Sequence, residues 1–339
     1  MRAVGYQKSL PIDDPNSLVD IDLPKPEPKG RDLLVEVRAI SVNPVDTKVR
    51  RRAQPEPGGW KTLGWDVAGT VVAVGPAAKA FKPGDAVFYA GAITRPGANA
   101  EFHLVDERIV GRKPAKLDWI EAAALPLTSI TAWETLFERL AIRQPVPGAP
   151  NLLLIVGGAG GVGSMAIQLA RKLTDATVIA TASRRETREW ALGLGAHHVV
   201  DHAKPLAAEV AALGLGAPAF VFSTTNTDKH VAEIVKLIAP QGRFGLIDDP
   251  PALDAMPFKT KSVSIHWESM FTRSTFDTAD IAEQGVLLNE VSRLVDQGAL
   301  RTTLAERFGA INAANLRRAH ALSESGRAIG KIVLAGFQA

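Results

Sequence analysis

The sequence predicts an α/β protein in which a doubly wound parallel sheet is joined to a β-rich, partly open barrel. Three observations predict it. Short β-branched runs punctuated by Gly, Pro and Asp fill the first third of the 339 residues. From Asn151 onward, strand and helix patterns alternate. A glycine-rich loop stands at the first strand-to-helix junction of that alternation.

In the first third, LLVEVRAI (33–40), GTVVAVG (69–75), GDAVFYA (84–90) and AEFHLVDERIV (100–110) read as strands. Asp118, followed three residues later by Glu121, is a capping-box pattern that opens the alanine-rich helix WIEAAALPL. Pro126 is expected to end that helix before TSITAWETLFERL begins another, and the proline-rich 142–150 forms a loop. LLLIV, TVIATA, HHVVDH, AFVFS and RFGLID then alternate as strands with amphipathic helical segments, and KSVSIHW (261–267) adds a strand at the sheet edge. Two further helices, within 277–298 and 312–326, precede a closing strand GKIVL (330–334).

Charge and composition narrow the functional classes. Lys plus Arg total 39 against 36 Asp plus Glu, a balance that argues against a polyanion binder. The densest basic run, Arg50-Arg51-Arg52, reads as a solvated loop, with an anion-attracting rim as the alternative. The absence of cysteine excludes disulfides, a thiol nucleophile and every thiolate zinc site. With no signal-peptide core at the N-terminus and no apolar run of about 18 residues, the expectation is a cytoplasmic protein.

The strongest motif is LLLIVGGAGGVGSMAIQLA. Gly158, Gly160 and Gly163 supply a tight turn, close backbone approach to a pyrophosphate, and close helix-on-strand packing. Gly161 and Val162 lie at the helix start, where unpaired N–H groups and the positive dipole end favour phosphate. About 20 residues on, where NAD-selective proteins place an acid for the ribose 2′-hydroxyl, the chain has Ser183, Arg184 and Arg185. A hydroxyl and guanidinium groups accept a 2′-phosphate that an acid would repel. The cofactor expected is therefore NADPH. The alternative is that the arginines only solvate the next helix.

Taken end to end, the chain resembles the medium-chain dehydrogenase/reductase superfamily. It is most similar to the quinone-oxidoreductase branch and to a bacterial group labelled zinc-type alcohol dehydrogenase-like. The carrying residues are AISVNPVDTKVR, LGWDVAGTVVAVG, FKPGDAVFY, GANAEFHLVDE, AAALPLTSITAWETLF, GGAGGVGSMAIQLA, LGAHHVVD and GKIVL. The resemblance implies a Rossmann domain (129–267) set within a GroES-like catalytic domain (1–128 and 268–339).

In zinc-bearing relatives a cysteine and a histidine ligate the catalytic metal. The resemblance places Asn43 and Trp65 at those positions, with Asp66 as the neighbouring acid. Indole offers only a donor and carboxamide is a poor zinc ligand, so no zinc is expected. Trp65 is expected to fill the metal cavity with apolar bulk.

What remains is hydride transfer to an acceptor that is already electron-poor, a quinone or an α,β-unsaturated carbonyl. The resemblance places Asn43 near the nicotinamide as a donor to the developing oxyanion, with an Asn-Pro turn residue as the alternative; Asp46 is expected to fix the loop, and Lys48, where relatives often carry tyrosine, to point to solvent or else to supply charge to the oxyanion. By motif position it assigns cofactor contacts to Thr131, His202, Thr224, Ile247 and Lys331, with a purely structural role as the alternative, while Tyr89 and Phe271 read as pocket walls or as plain packing. Reduction of enoyl thioesters, a weakly catalytic NADPH sensor, a nucleic-acid binder and the alcohol dehydrogenase activity of the group's label are the alternatives. The edge strand 261–267 predicts a homodimer.

Overall fold

The computed structural model describes residues 1–337, so the last two residues of the expected 268–339 segment lie outside the described residues. The chain separates into two units, Met1–Ile130 with Phe271–Ala339, and Thr131–Met270.

The first unit opens with β1 (Arg2–Tyr6), β2 (Val19–Asp22), β3 (Asp32–Val42), α1 (Pro44–Arg52), β4 (Lys61–Thr62), β5 (Val67–Val74), β6 (Ala86–Tyr89), β7 (Phe102–Asp106), β8 (Gly111–Arg112) and α2 (Trp119–Ala123). The helix α3 (Pro126–Trp133) follows. Pro126 thus starts a helix rather than ending one. At the first turn its missing N–H costs no intrahelical bond, and the expected capping box at Asp118 and Glu121 holds α2 alone.

The run 100–110 also divides. The strand stops at Asp106, whose carboxylate caps a 3-10 turn over Glu107–Ile109.

The second unit alternates β9 (Leu152–Val156), α4 (Gly161–Leu173), β10 (Thr177–Thr181), α5 (Arg185–Gly193), β11 (His198–Val200), α6 (Leu206–Ala211), β12 (Phe220–Ser223), α7 (Thr227–Leu237), β13 (Arg243–Leu246) and β14 (Ser264–Trp267). The first unit resumes with α8 (Thr272–Phe276), α9 (Glu283–Asp296), β15 (Leu304–Arg307), α10 (Ala313–Glu324) and β16 (Lys331–Ala335).

In the second unit the strands run parallel in the order β11-β10-β9-β12-β13-β14. Counted from β9 this is 3-2-1-4-5-6, the dinucleotide-binding order. Every residue of β9 is buried, as a central strand covered by helices on both faces requires. Strand order reverses between β9 and β12, and the glycine loop and Thr224 follow those two strands. The edge strand β14 is shorter than expected, because Met256–Lys261 winds as a 3-10 segment ended by left-handed Ser262.

In the first unit β3 is the hub, pairing antiparallel with β5, β7 and β16. Its register sets the site. Ile332 of β16 faces Val42, Val67 of β5 faces Ile40, and the Ser41 N–H donates to the Asp66 carbonyl at 3.0 Å. Residues 43, 66 and 331, remote in sequence, are thereby gathered at the C-terminal end of β3.

Arg50, expected in a solvated run, instead lies in the last turn of α1 and is buried. Its guanidinium bonds the Leu10 carbonyl and the Glu324 carboxylate. Only Arg51 and Arg52 remain exposed.

Candidate active site

At the end of β3, Asn43 N-caps α1, and Pro44 takes the first helical position. Asp46, at the third position, accepts the Asn43 N–H (2.7 Å) through one oxygen and the Gly64 N–H (2.9 Å) through the other. Asp46 therefore ties the start of α1 to the turn that carries Trp65. Burial pushes its carboxyl up to about 7, against the pull of these N–H groups and of Lys331.

Beside it, Lys331 reaches from β16 and spends all three ammonium hydrogens: on Asp66 (2.9 Å), on the Val42 carbonyl (3.2 Å) and on the Asn43 amide oxygen. Lys331 and Asp66 are both buried. Asp66 accepts further bonds from the Leu127 N–H (3.0 Å) and the Asn43 amide nitrogen (3.1 Å). Burial raises the Asp66 carboxyl, and the ammonium opposes the shift.

The Asn43 amide nitrogen also faces the Ser41 and Trp65 carbonyls, at 3.3 and 3.4 Å. Its hydrogens are committed inside the cluster, so it is not arranged as the oxyanion donor the sequence suggested. Lys331, expected to touch the cofactor, is likewise consumed by its three acceptors. Lys48 lies half-buried one turn along α1.

Trp65 is buried, donates from its indole nitrogen to the Ala92 carbonyl at 3.3 Å, and meets Phe271 edge-on at 6.2 Å. Tyr89 is fully enclosed and its hydroxyl lies 3.0 Å from His103 Nδ1, while His103 Nε2 lies 3.0 Å from the Pro96 carbonyl. The carbonyl requires the proton on Nε2, so the Tyr89 hydroxyl is the donor to Nδ1. Burial holds this imidazole neutral, down to about 4.

Zinc takes thiolate, imidazole and carboxylate donors. At the two positions where the resemblance puts ligands this chain has a carboxamide and an indole, and the neighbouring carboxylate is already bonded to an ammonium. Among the described residues, no group of three or more His, Asp or Glu stands ready to hold a metal ion. The donor set at the end of β3 does not fit zinc.

The nucleotide unit presents a different chemistry. Gly160 N-caps α4, so the N–H groups of Gly161, Val162 and Gly163 open the helix without intrahelical acceptors. A Cβ on Gly163 would fall on the Gly157 carbonyl and within 2.8 Å of Gly158 Cα, so only glycine closes this turn. At Gly160 the nearest neighbour of such a Cβ would be 3.6 Å away. Close packing therefore explains Gly163 but not Gly160, and the room at Gly160 suits backbone approach to a phosphate.

Thr224 hydrogen-bonds the Val156 carbonyl at 2.8 Å and packs on Gly157. Thr181 accepts the Gly157 N–H at 3.0 Å and lies 2.9 Å from His202 Nδ1, linking His202 to the loop. Ser183 is exposed, and Arg184 caps α5 with its guanidinium 3.4 Å from Glu186. Ile247 follows β13 half-buried, and Thr131 is buried with its carbonyl accepting the Thr135 hydroxyl at 2.7 Å. These residues fit a dinucleotide.

A barrel unit with the buried Asn43–Asp66–Lys331 cluster and a 3-2-1-4-5-6 nucleotide unit together define an oxidoreductase class. Residues 29–115 match the alcohol dehydrogenase GroES-like domain and 194–334 the zinc-binding dehydrogenase family. A zinc-type alcohol dehydrogenase-like protein of Staphylococcus aureus is 38% identical over 98% of this chain and 99% of its own length. A chloroplast envelope quinone oxidoreductase homolog of Arabidopsis thaliana is 30% identical over 94% of this chain and 93% of its own.

Among solved structures, a Rhizobium etli protein provisionally assigned as a zinc-dependent alcohol dehydrogenase has 70% identity and a TM-score of 0.98. The match covers 100% of this chain and 99% of that one. A mycobacterial protein complexed with NADPH has 26% identity and a TM-score of 0.82 over 99% of this chain and 100% of its own. The chain belongs to the medium-chain dehydrogenase/reductase superfamily. No helix among the described residues is long and apolar enough to cross a membrane.

Sequence reasoning missed the ion cluster. A lysine at the head of an otherwise apolar strand, GKIVL, and an acid beside Trp65 are the available signals, but their partnership rests on the pairing of β16 with β3, strands remote in sequence.

Proposed function

We propose that the protein is a zinc-independent, NADPH-dependent reductase that delivers hydride to a quinone or an α,β-unsaturated carbonyl. The observation that carries the reading is the Lys331 ammonium, bonded to Asp66 and to Asn43, the latter at a position where the resemblance puts a metal ligand. NADPH, when bound, supplies the hydride. The loop at Gly158–Gly163 and the start of α4 hold its phosphates, and Ser183 with Arg184 receives the 2′-phosphate. Asn43 and Asp46 act as positioning residues that fix the turn around Trp65. Lys331 supplies the fixed cation of this cluster. A medium-chain relative solved with NADPH and a relative named for quinone oxidoreduction support the reading.

The test is initial-rate oxidation of NADPH and of NADH by chelator-treated protein, with p-benzoquinone and an alkenal as acceptors, for wild type and Arg184→Asp. NADPH turnover is expected to survive chelation. Arg184→Asp is expected to lower kcat/KM for NADPH by about tenfold or more, with NADH much less affected, as loss of a charge-assisted phosphate contact requires. Turnover that returns only with added zinc would overturn the reading. Tight NADPH binding without turnover on either acceptor would instead favour a sensor.

A further inference from the structure

After α3 the chain does not stop coiling but widens into a π-helical turn over Glu134–Arg139, in which the Leu140 N–H reaches back to the Thr135 carbonyl. Such turns are uncommon and concentrate at functional positions. The first residue, Glu134, is a charged residue only 2% exposed. Across from it lies Glu268, which leaves the end of β14, is 5% exposed, and bonds the Leu246 carbonyl through its N–H at 3.0 Å.

One carboxylate oxygen of Glu268 accepts Arg139 Nε at 2.8 Å. The other is fully buried, and among the described residues no N–H or hydroxyl donor reaches it. Besides Arg139, the side chain that interacts with the Glu268 carboxyl is that of Glu134. Two carboxylates repel and cannot bond each other, whereas a carboxylic acid and a carboxylate form a strong hydrogen bond through one proton.

Among the charged groups that act on Glu268, the cation is Arg139. Arg139 is already on the far oxygen, and Glu138 from the same turn adds negative charge. Arg243 of β13 spends its guanidinium on the Leu140, Ala141 and Gln144 carbonyls. His266 of β14 is held toward its neutral form by burial and by Arg243 and Arg139. Burial likewise raises the Glu268 carboxyl above its ordinary range.

We propose that Glu134 and Glu268 share one buried proton, and that this acid–carboxylate pair with Arg139 positions the π-helical turn that follows Thr131, making nucleotide binding sensitive to alkaline pH. Glu134 lies three residues after Thr131, on the same side of the helix. The Thr135 hydroxyl bonds the Thr131 carbonyl, so the turn and Thr131 are one hydrogen-bonded piece. Glu268 is tied to Leu246, which precedes Ile247 at the carboxyl end of β13. Removing the proton leaves two anions in contact and expels Glu134 from the turn. The nucleotide consequence rests on the NADPH reading above; the shared proton does not.

The test is infrared spectroscopy of the full chain at about pH 8, where exposed carboxyls are ionised, with and without 13C-glutamate labelling. A carbonyl stretch of a protonated carboxylic acid is expected that shifts with the glutamate label, which separates it from Asp46. It should vanish in Glu134→Gln, whose amide donates to Glu268 at every pH. In parallel, wild-type NADPH affinity should fall about tenfold or more between about pH 7 and about pH 10, while that of Glu134→Gln stays nearly level, since each full ionisation removes one turn-closing bond. Absence of a glutamate-derived band overturns the shared proton, and superimposable affinity profiles overturn the coupling to the nucleotide. If neither protein binds NADPH at any pH, the cofactor reading fails, and the infrared band still decides the pair.

Discussion

Replacing Lys331 with methionine keeps much of the side-chain length and removes the charge. Asp66, fully buried, then loses its cation, and the Val42 carbonyl and Asn43 amide oxygen lose their donors. Breaking a buried ion pair from one side costs about 3–5 kcal/mol, because the remaining charge is stranded. In a unit of about 200 residues, each kcal/mol moves the melting midpoint by about 2–4 °C, so a fall of roughly 6–20 °C is expected.

The penalty also has a pH signature. Without Lys331 the Asp66 carboxyl rises further above its unfolded value, so the fold retains the proton that the unfolded chain releases. Stability is then intact at acid pH and is lost as pH rises above about 4 toward the folded-state pKa. Adding Asp66→Asn removes the stranded charge, so the double variant should recover part of the loss, with a coupling of about 2–3 kcal/mol. Thermal melts of the four proteins across that pH range measure both effects. A single-variant cost under about 1 kcal/mol, or one independent of pH, would refute the assignment of Lys331 as the buried counter-ion.

Two further substitutions test other parts of the molecule. His320 of α10 is fully buried, neither ring nitrogen has a hydrogen-bond partner among the described residues, and burial together with Arg50 pushes it down to about 3. His320→Leu should therefore stabilise the protein by about 1–3 kcal/mol at neutral pH. Its folded pKa lies below the unfolded value, so wild type loses stability as pH falls, and the advantage of the variant should widen by about 3 kcal/mol between about pH 7 and about pH 4. A constant difference across that range would show that His320 does not titrate with unfolding. Gly163→Ala and Gly160→Ala separate packing from ligand approach: the first should destabilise the nucleotide unit, and the second should leave the melt unchanged while weakening NADPH binding about tenfold or more. A Gly160→Ala protein with wild-type affinity would remove phosphate approach as that glycine's role.

The sequence by itself determined what depends on local spacing. Apolar strand runs alternating with amphipathic helical patterns from Asn151 onward make the parallel sheet and the glycine loop legible in neighbouring residues, as the spacing of Asp118 and Glu121 does for the capped start of α2. Where two local rules compete, sequence reading failed. Pro126 both ends one helix pattern and begins another, and the final turn at Arg50 was read as solvated because three arginines in a row look like surface.

The tertiary structure alone decided the chemistry of the buried charges. Asn43 reads as a free donor until β16 brings Lys331 beside β3, and Arg50 reads as exposed until α10 brings Glu324 to α1. Glu134 and Glu268 are 134 residues apart and meet only because the turn after α3 and the end of β14 converge. The reason is physical. A local pattern states whether a side chain is buried, but the state of a buried charge depends on which distant group shares the low-dielectric space with it.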